Sequence, residues 1–278
     1  MIKRNLKLYF RDRTAVFFSM LGVLIILLLY VFFLGAMLES IATDISSDHA
    51  RFFMDSWIMA GVIAATSITT TLQGFGIMID DKHKKIHRDF MVSPISRAQL
   101  VLSYVISSIV IGLVMTFFTF FIAQIYIIFY GGSLLSFGAM IQMIGLIILS
   151  VSASSAMVFF AASLIKTLNA FSTLSTLLGT LIGFLTGIYI PIGNLPTTVQ
   201  WVIKLFPVSH SASAMRQVMM NEAIDLSLVP QNIKTFLGVV FEYGSYEMTM
   251  VVHVMILVVT FIVFNTLSIL IVSKHKDR

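Results

Sequence analysis

Three observations predict an all-α membrane protein with six transmembrane helices, an N-terminal interfacial helix and a re-entrant outer helix pair before the last span. Of the 278 residues, 58% are hydrophobic and 11% are charged, whereas soluble domains carry about 25% charged residues. The mean hydropathy is +0.97. Six separate stretches are long enough to cross a bilayer as helices, which takes about 20 apolar residues each.

The predicted spans run over residues 15–38, 57–79, 100–130, 138–165, 168–190 and 250–272. The first is interpreted as a retained span, because its apolar run is too long for a signal peptide and no small-residue cleavage site follows. The fourth and fifth are separated by a tight turn around Lys166, as in an antiparallel helix pair. As drawn, none of the six contains Asp, Glu, Lys or Arg.

The distribution of charge predicts the orientation. The segments before span one, between spans two and three, between four and five, and after six hold 14 of the 18 Lys and Arg residues. By the positive-inside rule, a multi-pass protein of the inner (plasma) membrane with both termini in the cytoplasm is expected. The net charge of +5 is explained by this asymmetry, and no nucleic-acid partner is expected. The absence of cysteine excludes disulfides and thiolate metal sites.

Residues 1–14 are predicted to form the interfacial helix. Apolar Ile2, Leu6 and Tyr9 recur at roughly helical spacing against basic residues such as Lys3 and Lys7, so one face can meet anionic lipid headgroups. The alternative is a simple orientation signal that flanks span one.

The loop of residues 80–99 is the only sizeable cytoplasmic loop in this topology. Apolar Ile86, Phe90 and Met91 lie within its basic run. Ser93 before Pro94, and Ser96 a little further on, suggest a break and then a new helix start. The loop is either a short amphipathic docking helix or a solvated charge run that only sets topology, and its composition alone does not decide between them.

Residues 191–217 predict an outer helical hairpin. Span five is expected to end at the cluster of Pro191, Gly193 and Pro196, where a straight helix cannot continue. A short helix with Trp201 at headgroup level follows, and a second helix capped by Ser209 or Ser211 reaches Arg216. Residues 218–249 then form an extracellular segment.

Two patterns inside the spans are candidates for contacts or for a transport path. Gly179, Gly183 and Gly187 recur every four residues, which favours close helix packing either within the chain or between subunits. Hydroxyl-rich runs mark spans two, four and five. These residues either bond neighbouring helices or line a path, whose candidate residues are Thr66, Thr70, Gln73, Ser172, Ser175 and Thr176.

The chemistry that the sequence lacks narrows the function class. Apart from His253 near the outer end of span six, no ionisable group lies at membrane depth in the spans as drawn, which disfavours a proton-driven carrier. There is no HExxH, GxSxG or GxxxxGK[ST] motif, so neither intramembrane hydrolysis nor P-loop nucleotide binding is supported. The chain is therefore not expected to be an enzyme. Active transport would need energy from another chain, and the 80–99 loop is where such a partner could dock.

These features resemble the permease subunit of a type-2 ATP-binding-cassette (ABC) exporter. A YFRDR element precedes span one, and the charged loop ends in VSPISRAQL. The run GIYIPIGNLPTTVQWVIKLFPVSHSASAMRQ at residues 187–217 is similar to the late signature of the family. That signature has a Gly-aromatic-x-Pro turn, a Leu-Pro, an amphipathic helix with Trp, a second Pro and an Ala-x-Arg-like element. The resemblance covers the whole chain in order and spacing.

The resemblance implies a half-transporter that forms a homodimer, or pairs with a similar permease, and binds two ATPase subunits. ATP and Mg²⁺ would bind to those subunits, with no cofactor on this chain. ATPase coupling would fall to Lys82, Lys84, Lys85, Ile86, Arg88, Phe90, Pro94 and Arg97. Spans two and five would line the path, and the outer gate would comprise Pro191, Leu195, Pro196, Trp201, Phe206 and Pro207.

The expected cargo is amphipathic or lipid-like, such as a drug, an antibiotic or a lipid-linked molecule. The predicted spans offer apolar and hydroxyl surfaces without buried charge, which suit such a molecule. The alternatives are an ion-coupled secondary carrier or channel, and a membrane scaffold that transports nothing.

Overall fold

A computed structural model describes residues 1–30, 32, 49–86, 90, 95–165, 167–244 and 246–274. In chain order the helices are α1 (Ile2–Arg11), α2 (Arg13–Leu29), α3 (Ala50–His83), α4 (Arg97–Phe129), α5 (Phe137–Leu164), α6 (Leu168–Leu185), α7 (Thr197–Leu205), α8 (Pro207–Asn221), α9 (Gln231–Phe236) and α10 (Met250–Lys274). A single 3₁₀ turn spans Ile192–Asn194, and β1 (Glu242–Tyr243) pairs antiparallel with β2 (Tyr246–Glu247).

The helices confirm an all-α membrane protein. Five of them, α3, α4, α5, α6 and α10, are long and apolar enough to cross a bilayer. α2 is an apolar helix of 17 residues, and the rest of predicted span one lies mostly outside the described residues. The total of six spans therefore stays a prediction.

α3 is longer than predicted span two at both ends. It begins at Ala50 and ends at His83, whereas the sequence suggested residues 57–79. The outer extension contains Arg51 and Asp55, whose side chains form an i,i+4 ion pair at 3.7 Å. Only 2% of the Asp55 side chain is exposed. A helix end thus carries charges that the hydropathy pattern assigned to loops, and one of these charges is buried.

α6 ends five residues before the predicted limit of span five. Gly187 adopts a left-handed φ of +69°, its N–H donates to the carbonyl of Phe184 at 3.0 Å, and the N–H of Ile188 donates to that of Gly183 at 2.8 Å. These two bonds form a Schellman motif, which ends a helix at a glycine. The helix therefore stops at the glycine and not at the proline cluster that follows it.

The outer hairpin of α7 and α8 differs from the prediction in its capping and length. α8 begins at Pro207, whose missing N–H costs nothing in the first turn, and it has no side-chain cap. Ser209 Oγ instead donates to the carbonyl of Leu185 at 2.6 Å and joins α8 to the end of α6. α8 continues to Asn221, so the first residues of the predicted 218–249 segment are helical.

The remainder of that segment is folded and not a free loop. It contains α9 and the β1–β2 pair, and Leu237, Val239 and Phe241 between them are buried. The indole N–H of Trp57 on α3 donates to the carbonyl of Leu237 at 2.7 Å. The segment therefore packs directly onto the helices.

α3 is the central helix of the bundle. It packs against α4, α5, α6 and α8, and most of its side chains between Phe53 and Ile79 are buried. Ser67 Oγ lies 2.8 Å from Ser150 Oγ of α5, an interhelical hydrogen bond of the type that holds membrane helices together. In contrast, α6 and α10 leave most of their apolar surface exposed, where it can meet lipid or a second chain.

The turn after α6 gives a stability prediction. Gly187→Ala places a Cβ at a positive φ and 2.9 Å from Ile192 Cγ1, and the left-handed conformation alone costs about 1–2 kcal/mol for an L-residue. We expect a lower thermal unfolding midpoint of the purified protein. Gly179→Ala is the matched control, since no atom lies within 4 Å of its added Cβ. Equal midpoints for the two variants would contradict the assigned role of Gly187.

Candidate transport site

Two cavities that share three lining residues run along the inner side of α2, α3 and α6. The larger, of about 710 Å³, lies at the end of the bundle where α1 packs. It is lined by Leu8, Tyr9, Asp12, Ser19, Gln73, Gly76, Ile77, Asp80, Asp81, Leu168, Phe171, Ser172, Ser175 and Thr176. The smaller, of about 210 Å³, is lined by Ser19, Gly22, Ile26, Val62, Ala65, Thr66, Thr69, Leu72, Gln73, Ser175, Gly179, Ile182 and Tyr189. They meet at Ser19, Gln73 and Ser175.

The structure brings five of the six predicted path residues to these cavities. Gln73, Ser172, Ser175 and Thr176 line the larger one, and Thr66, Gln73 and Ser175 line the smaller one. Thr70 lines neither, because it is buried and its hydroxyl donates to the carbonyl of Thr66 at 2.7 Å. The transport role of these residues remains a prediction.

The hydroxyls that face the cavities present oxygen lone pairs. Ser175 Oγ donates its proton to the carbonyl of Phe171 at 2.9 Å, and Thr176 Oγ1 donates to that of Ser172 at 3.0 Å. Ser19 Oγ likewise donates to the carbonyl of Val16 at 2.6 Å. Because these protons are used within the helices, the three hydroxyls offer uncharged hydrogen-bond acceptors to the cavities. The charged residues that line the larger cavity are Asp12, Asp80 and Asp81.

The side chain of Gln73 on α3 is held by a hydrogen bond from α1. The hydroxyl of Tyr9 on α1 donates to Gln73 Oε1 at 3.1 Å and lies 3.3 Å from Ser19 Oγ. Burial raises the pKa of Tyr9, which keeps the hydroxyl protonated as the donor. With Oε1 engaged, the amide N–H₂ of Gln73 is the group left to meet a ligand. Sequence reasoning missed Tyr9 and Ser19, because Tyr9 was grouped with the apolar face of the interfacial helix.

α1 is anchored to the bundle by a partly buried ion pair. Arg4 donates from Nη1 and Nη2 to the two carboxylate oxygens of Asp81 at 2.7 and 2.8 Å, and the Tyr104 hydroxyl donates to the same carboxylate at 2.6 Å. The bond to Asp81 raises the pKa of Arg4. Lys3, Lys7 and Arg11 remain exposed, so the basic face predicted for this helix is accessible apart from Arg4.

The described coupling residues lie directly beside this anchor. Lys82 belongs to the last turn of α3, and Lys85 has a left-handed φ of 61° just past the helix end. Lys84 Nζ pairs with Asp80 at 2.7 Å. The ring of Phe90 lies 5.1 Å from the Arg4 guanidinium, a cation–π contact, and Ile86 is partly buried. Arg88 and Pro94 lie outside the described residues, as does the side chain of Arg97, whose backbone begins α4.

The predicted outer-gate residues occupy two environments. Trp201 on α7 is 49% exposed and meets the ring of Tyr243 edge-on at 5.3 Å. Pro191 is buried, Leu195, Phe206 and Pro207 are partly buried, and Pro196 is exposed at the start of α7. The hairpin therefore keeps one apolar surface in the bundle and turns another outward.

The glycine stripe of α6 has three separate roles and not one packing surface. Gly179 is open and lines the smaller cavity. Gly183 is covered by the ring of Tyr189, which leaves no room for a Cβ. Gly187 supplies the left-handed turn. Within the described residues the packing at Gly183 is internal to the chain.

A buried arginine that sequence reasoning left out of the site connects the outer ends of the helices. Arg216 on α8 is 0% exposed. Its Nη2 donates to the carbonyl of Thr186 at 2.8 Å, its Nε donates to that of Trp57 at 3.3 Å, and its guanidinium lies 4.6 Å from the Trp57 ring centroid. It thus ties α8 to α3 and to the turn after α6.

Arg216→Lys tests this connection. A lysine keeps the charge but lacks the planar set of donors that reaches two carbonyls, and each buried carbonyl left unpaired costs about 1–3 kcal/mol. We expect a lower thermal unfolding midpoint of the purified protein. Arg11→Lys on the exposed end of α1 is the matched control and should leave the midpoint unchanged. A midpoint for Arg216→Lys equal to that of the control would refute the role.

The comparison with known families agrees with this architecture. The family model described as ABC-2 type transporter matches residues 1–220, from the start of the chain to the end of α8. A comparison with curated proteins found no match. Because the match covers most of the chain, and five helices are long enough to span a membrane, this chain is a multi-pass membrane permease that belongs to the ABC-2 type transporter family.

Proposed function

We propose that this chain is the permease subunit of an exporter that moves an amphipathic or lipid-like cargo, such as a drug, an antibiotic or a lipid-linked molecule, out of the cytoplasm or the inner leaflet. The observation that carries the proposal is the pair of cavities that meet at Ser19, Gln73 and Ser175. Among the described residues, no charged side chain lines the smaller one, whereas Asp12, Asp80 and Asp81 line the larger one. Its mixture of apolar walls and uncharged acceptors suits a molecule that has both an apolar body and a polar group.

The energy would come from two copies of a separate ATPase, which would bind ATP and Mg²⁺. The family match supports such a partner, and this chain has no P-loop motif. In the membrane, a second copy of the chain would complete the transporter. The exposed apolar residues of α6, including Leu177 and Leu181, are a suitable surface for that copy, and α3 and α6 would line the path between the two.

Coupling would run from the loop after α3 to the cavity through α1. Phe90 contacts Arg4, Arg4 holds Asp81 at the end of α3, and Tyr9 one turn further along α1 holds Gln73. A movement of the loop that an ATPase imposes would therefore reach the cavity through a rigid helix. The first part of the outer hairpin, residues 191–207, would act as the gate at the other end.

The main experiment co-expresses the chain with the ATPase encoded by a neighbouring reading frame and measures ATP-driven efflux of an amphipathic fluorescent dye. Lys84→Glu/Lys85→Glu reverses two exposed charges beside the anchor, and we expect ATPase association and efflux to be lost. The control is Lys234→Glu at the opposite end of the bundle, which should retain both. Association and efflux that survive the double substitution would overturn the coupling assignment.

The two alternatives make different predictions in the same system. A secondary carrier or channel would show flux with the purified chain alone in liposomes, driven by an ion gradient and indifferent to ATP. A scaffold would show no flux with any partner, but would still need the charged loop to form its complex.

Tyr9→Phe tests the role of α1 at the cavity. The substitution removes the donor to Gln73 Oε1 and leaves the packing of the ring. Without this bond the Gln73 side chain has to be ordered when a ligand binds, which costs up to about 1 kcal/mol, or roughly a fivefold change in affinity. We therefore expect a KM for dye efflux about fivefold higher with the ATPase still bound, whereas Phe10→Leu on the neighbouring exposed position should leave KM unchanged. An unaltered KM in Tyr9→Phe would exclude Gln73 from the dye path.

A further inference from the structure

Two buried histidines that the transport path does not use form a chain of hydrogen bonds between the outer hairpin and the last helix. His210 Nδ1 on α8 lies 2.8 Å from His253 Nδ1 on α10. The other nitrogen of His210 lies 2.8 Å from the carbonyl of Lys204, and that of His253 lies 3.2 Å from Ser213 Oγ. The exposed fractions of His210 and His253 are 2% and 0%.

The carbonyl at one end fixes where the protons lie. A carbonyl only accepts, so His210 Nε2 carries a proton and donates to Lys204. In the neutral ring, His210 Nδ1 is then an acceptor, and the proton between the two Nδ1 atoms belongs to His253. His253 Nε2 is left without a proton, facing Ser213 Oγ. One proton therefore satisfies the hydrogen bond between the two Nδ1 atoms. If both Nδ1 atoms carried a proton, the two protons would face each other across 2.8 Å.

Ser213 makes room for one further proton without a rearrangement of the helices. Its Oγ lies 2.6 Å from the carbonyl of Val239, which also accepts from Gln217 Nε2 at 2.9 Å. In the neutral pair the Ser213 hydroxyl can donate to His253 Nε2, and the carbonyl of Val239 then accepts from Gln217 alone. When His253 Nε2 gains a proton, the hydroxyl turns to Val239 and accepts from the imidazolium.

No counter-charge stabilises that added proton. Within the described residues neither ring is bonded to a carboxylate. On α8 itself the charged neighbour is Arg216, of the same sign. α5 contains no ionisable residue, and the outer charges of α3, Arg51 and Asp55, pair with each other.

The charged groups of α7 and β1 are also engaged elsewhere. Lys204 Nζ donates to the backbone carbonyl of Glu242 at 2.8 Å, while the Glu242 carboxylate accepts from Gln231 at 2.7 Å and Thr235 at 2.9 Å. The Tyr243 hydroxyl donates to the carbonyl of Lys204 at 3.0 Å. A protonated pair would therefore be a buried charge next to like charges, which is unfavourable.

From this geometry we infer that His210 and His253 form a proton-binding site that locks the outer hairpin to α10 when the pair is neutral, and that a proton taken up from the outer side loosens the lock. The site binds one proton per chain. It is independent of the cargo and of the ATPase, since every contact in it lies within this chain.

The sign of the pH effect follows from burial. Burial lowers the pKa of His210 in the folded chain, so the unfolded chain binds more protons in acid. The stabilisation is fully present above the ordinary histidine pKa of about 6.5 and decreases as the pH falls below that value. Acidification should therefore loosen the contact, and neutral pH should restore it.

Trp57 is a suitable reporter of this change. Its indole N–H donates to the carbonyl of Leu237, two residues before Val239 in the segment that Ser213 holds. The chain has two tryptophans, so Trp201→Phe leaves Trp57 as the single fluorophore. In the purified full chain in lipid nanodiscs, titrated from about pH 7.5 to about pH 4, we expect a reversible red shift of its emission in acid.

Variants in this background identify the groups responsible. In His253→Gln the red shift should be lost, whereas in His49→Gln, at an exposed outer histidine, it should persist. Ser213→Ala retains both histidines but removes the acceptor for the added proton, so its midpoint should move to lower pH. This variant also decides the matter if His253→Gln does not fold. No shift in the Trp57-only protein, an unchanged shift in His253→Gln, or an unchanged midpoint in Ser213→Ala would overturn the inference.

Discussion

The buried guanidinium of Arg216 is the constraint on which the outer half of the structure depends. A fully buried cation in a membrane protein is costly unless its donors find partners. Here Nη2 and Nε donate to backbone carbonyls, whereas Nη1 has no hydrogen-bond partner among the described residues. The carbonyl of Thr186 is available because α6 stops there. Three glycines border the guanidinium: a Cβ at Gly61 would lie 3.1 Å from Arg216 Nη2, and a Cβ at Gly187 or Gly238 would lie 3.5 Å from Nη1. The early end of α6, the left-handed turn and the folded outer segment are thus parts of one arrangement.

α3 is secured at its opposite end by a second arginine, in a different way. Arg4 meets a carboxylate, Asp81, so charge neutralises charge where α1 lies against the bundle. At the outer end Arg216 meets carbonyls and the face of Trp57, where the charge stays uncompensated. The neutralised anchor can remain closed during a rigid movement of α3, whereas the outer contacts depend on hydrogen bonds that small displacements break. In the proposed mechanism, this asymmetry would suit a helix that is driven from one end and releases its contacts at the other.

Five of the six predicted spans correspond to helices that are long and apolar enough to cross a membrane, because hydrophobicity and helix length are local properties. The residues at which these helices end were harder to predict. Two stop signals, Gly187 and Pro191, compete at the end of α6, and only the hydrogen bonds of the turn show which one acts. Asp81 was assigned to a loop of charges, because its partners Arg4 and Tyr104 are distant in sequence. A hydrogen bond between two side chains on different helices, such as that from Tyr9 to Gln73, produces no periodic pattern in the sequence.

The cavity walls resolve a difficulty that the composition raised. A path for amphipathic cargo needs polar groups, yet charges at membrane depth are costly. Hydroxyls on helices meet both demands, since each proton bonds the carbonyl one turn back, as in Ser175 and Thr176, and the oxygen keeps its acceptor capacity toward the cavity. A weak acceptor releases its ligand more readily than a charge does, because little desolvation energy is at stake on either side. No charged residue lines the smaller cavity among the described residues, so weak acceptors there would favour turnover over tight binding. In the proposed mechanism the work of moving the cargo would come from outside the cavity.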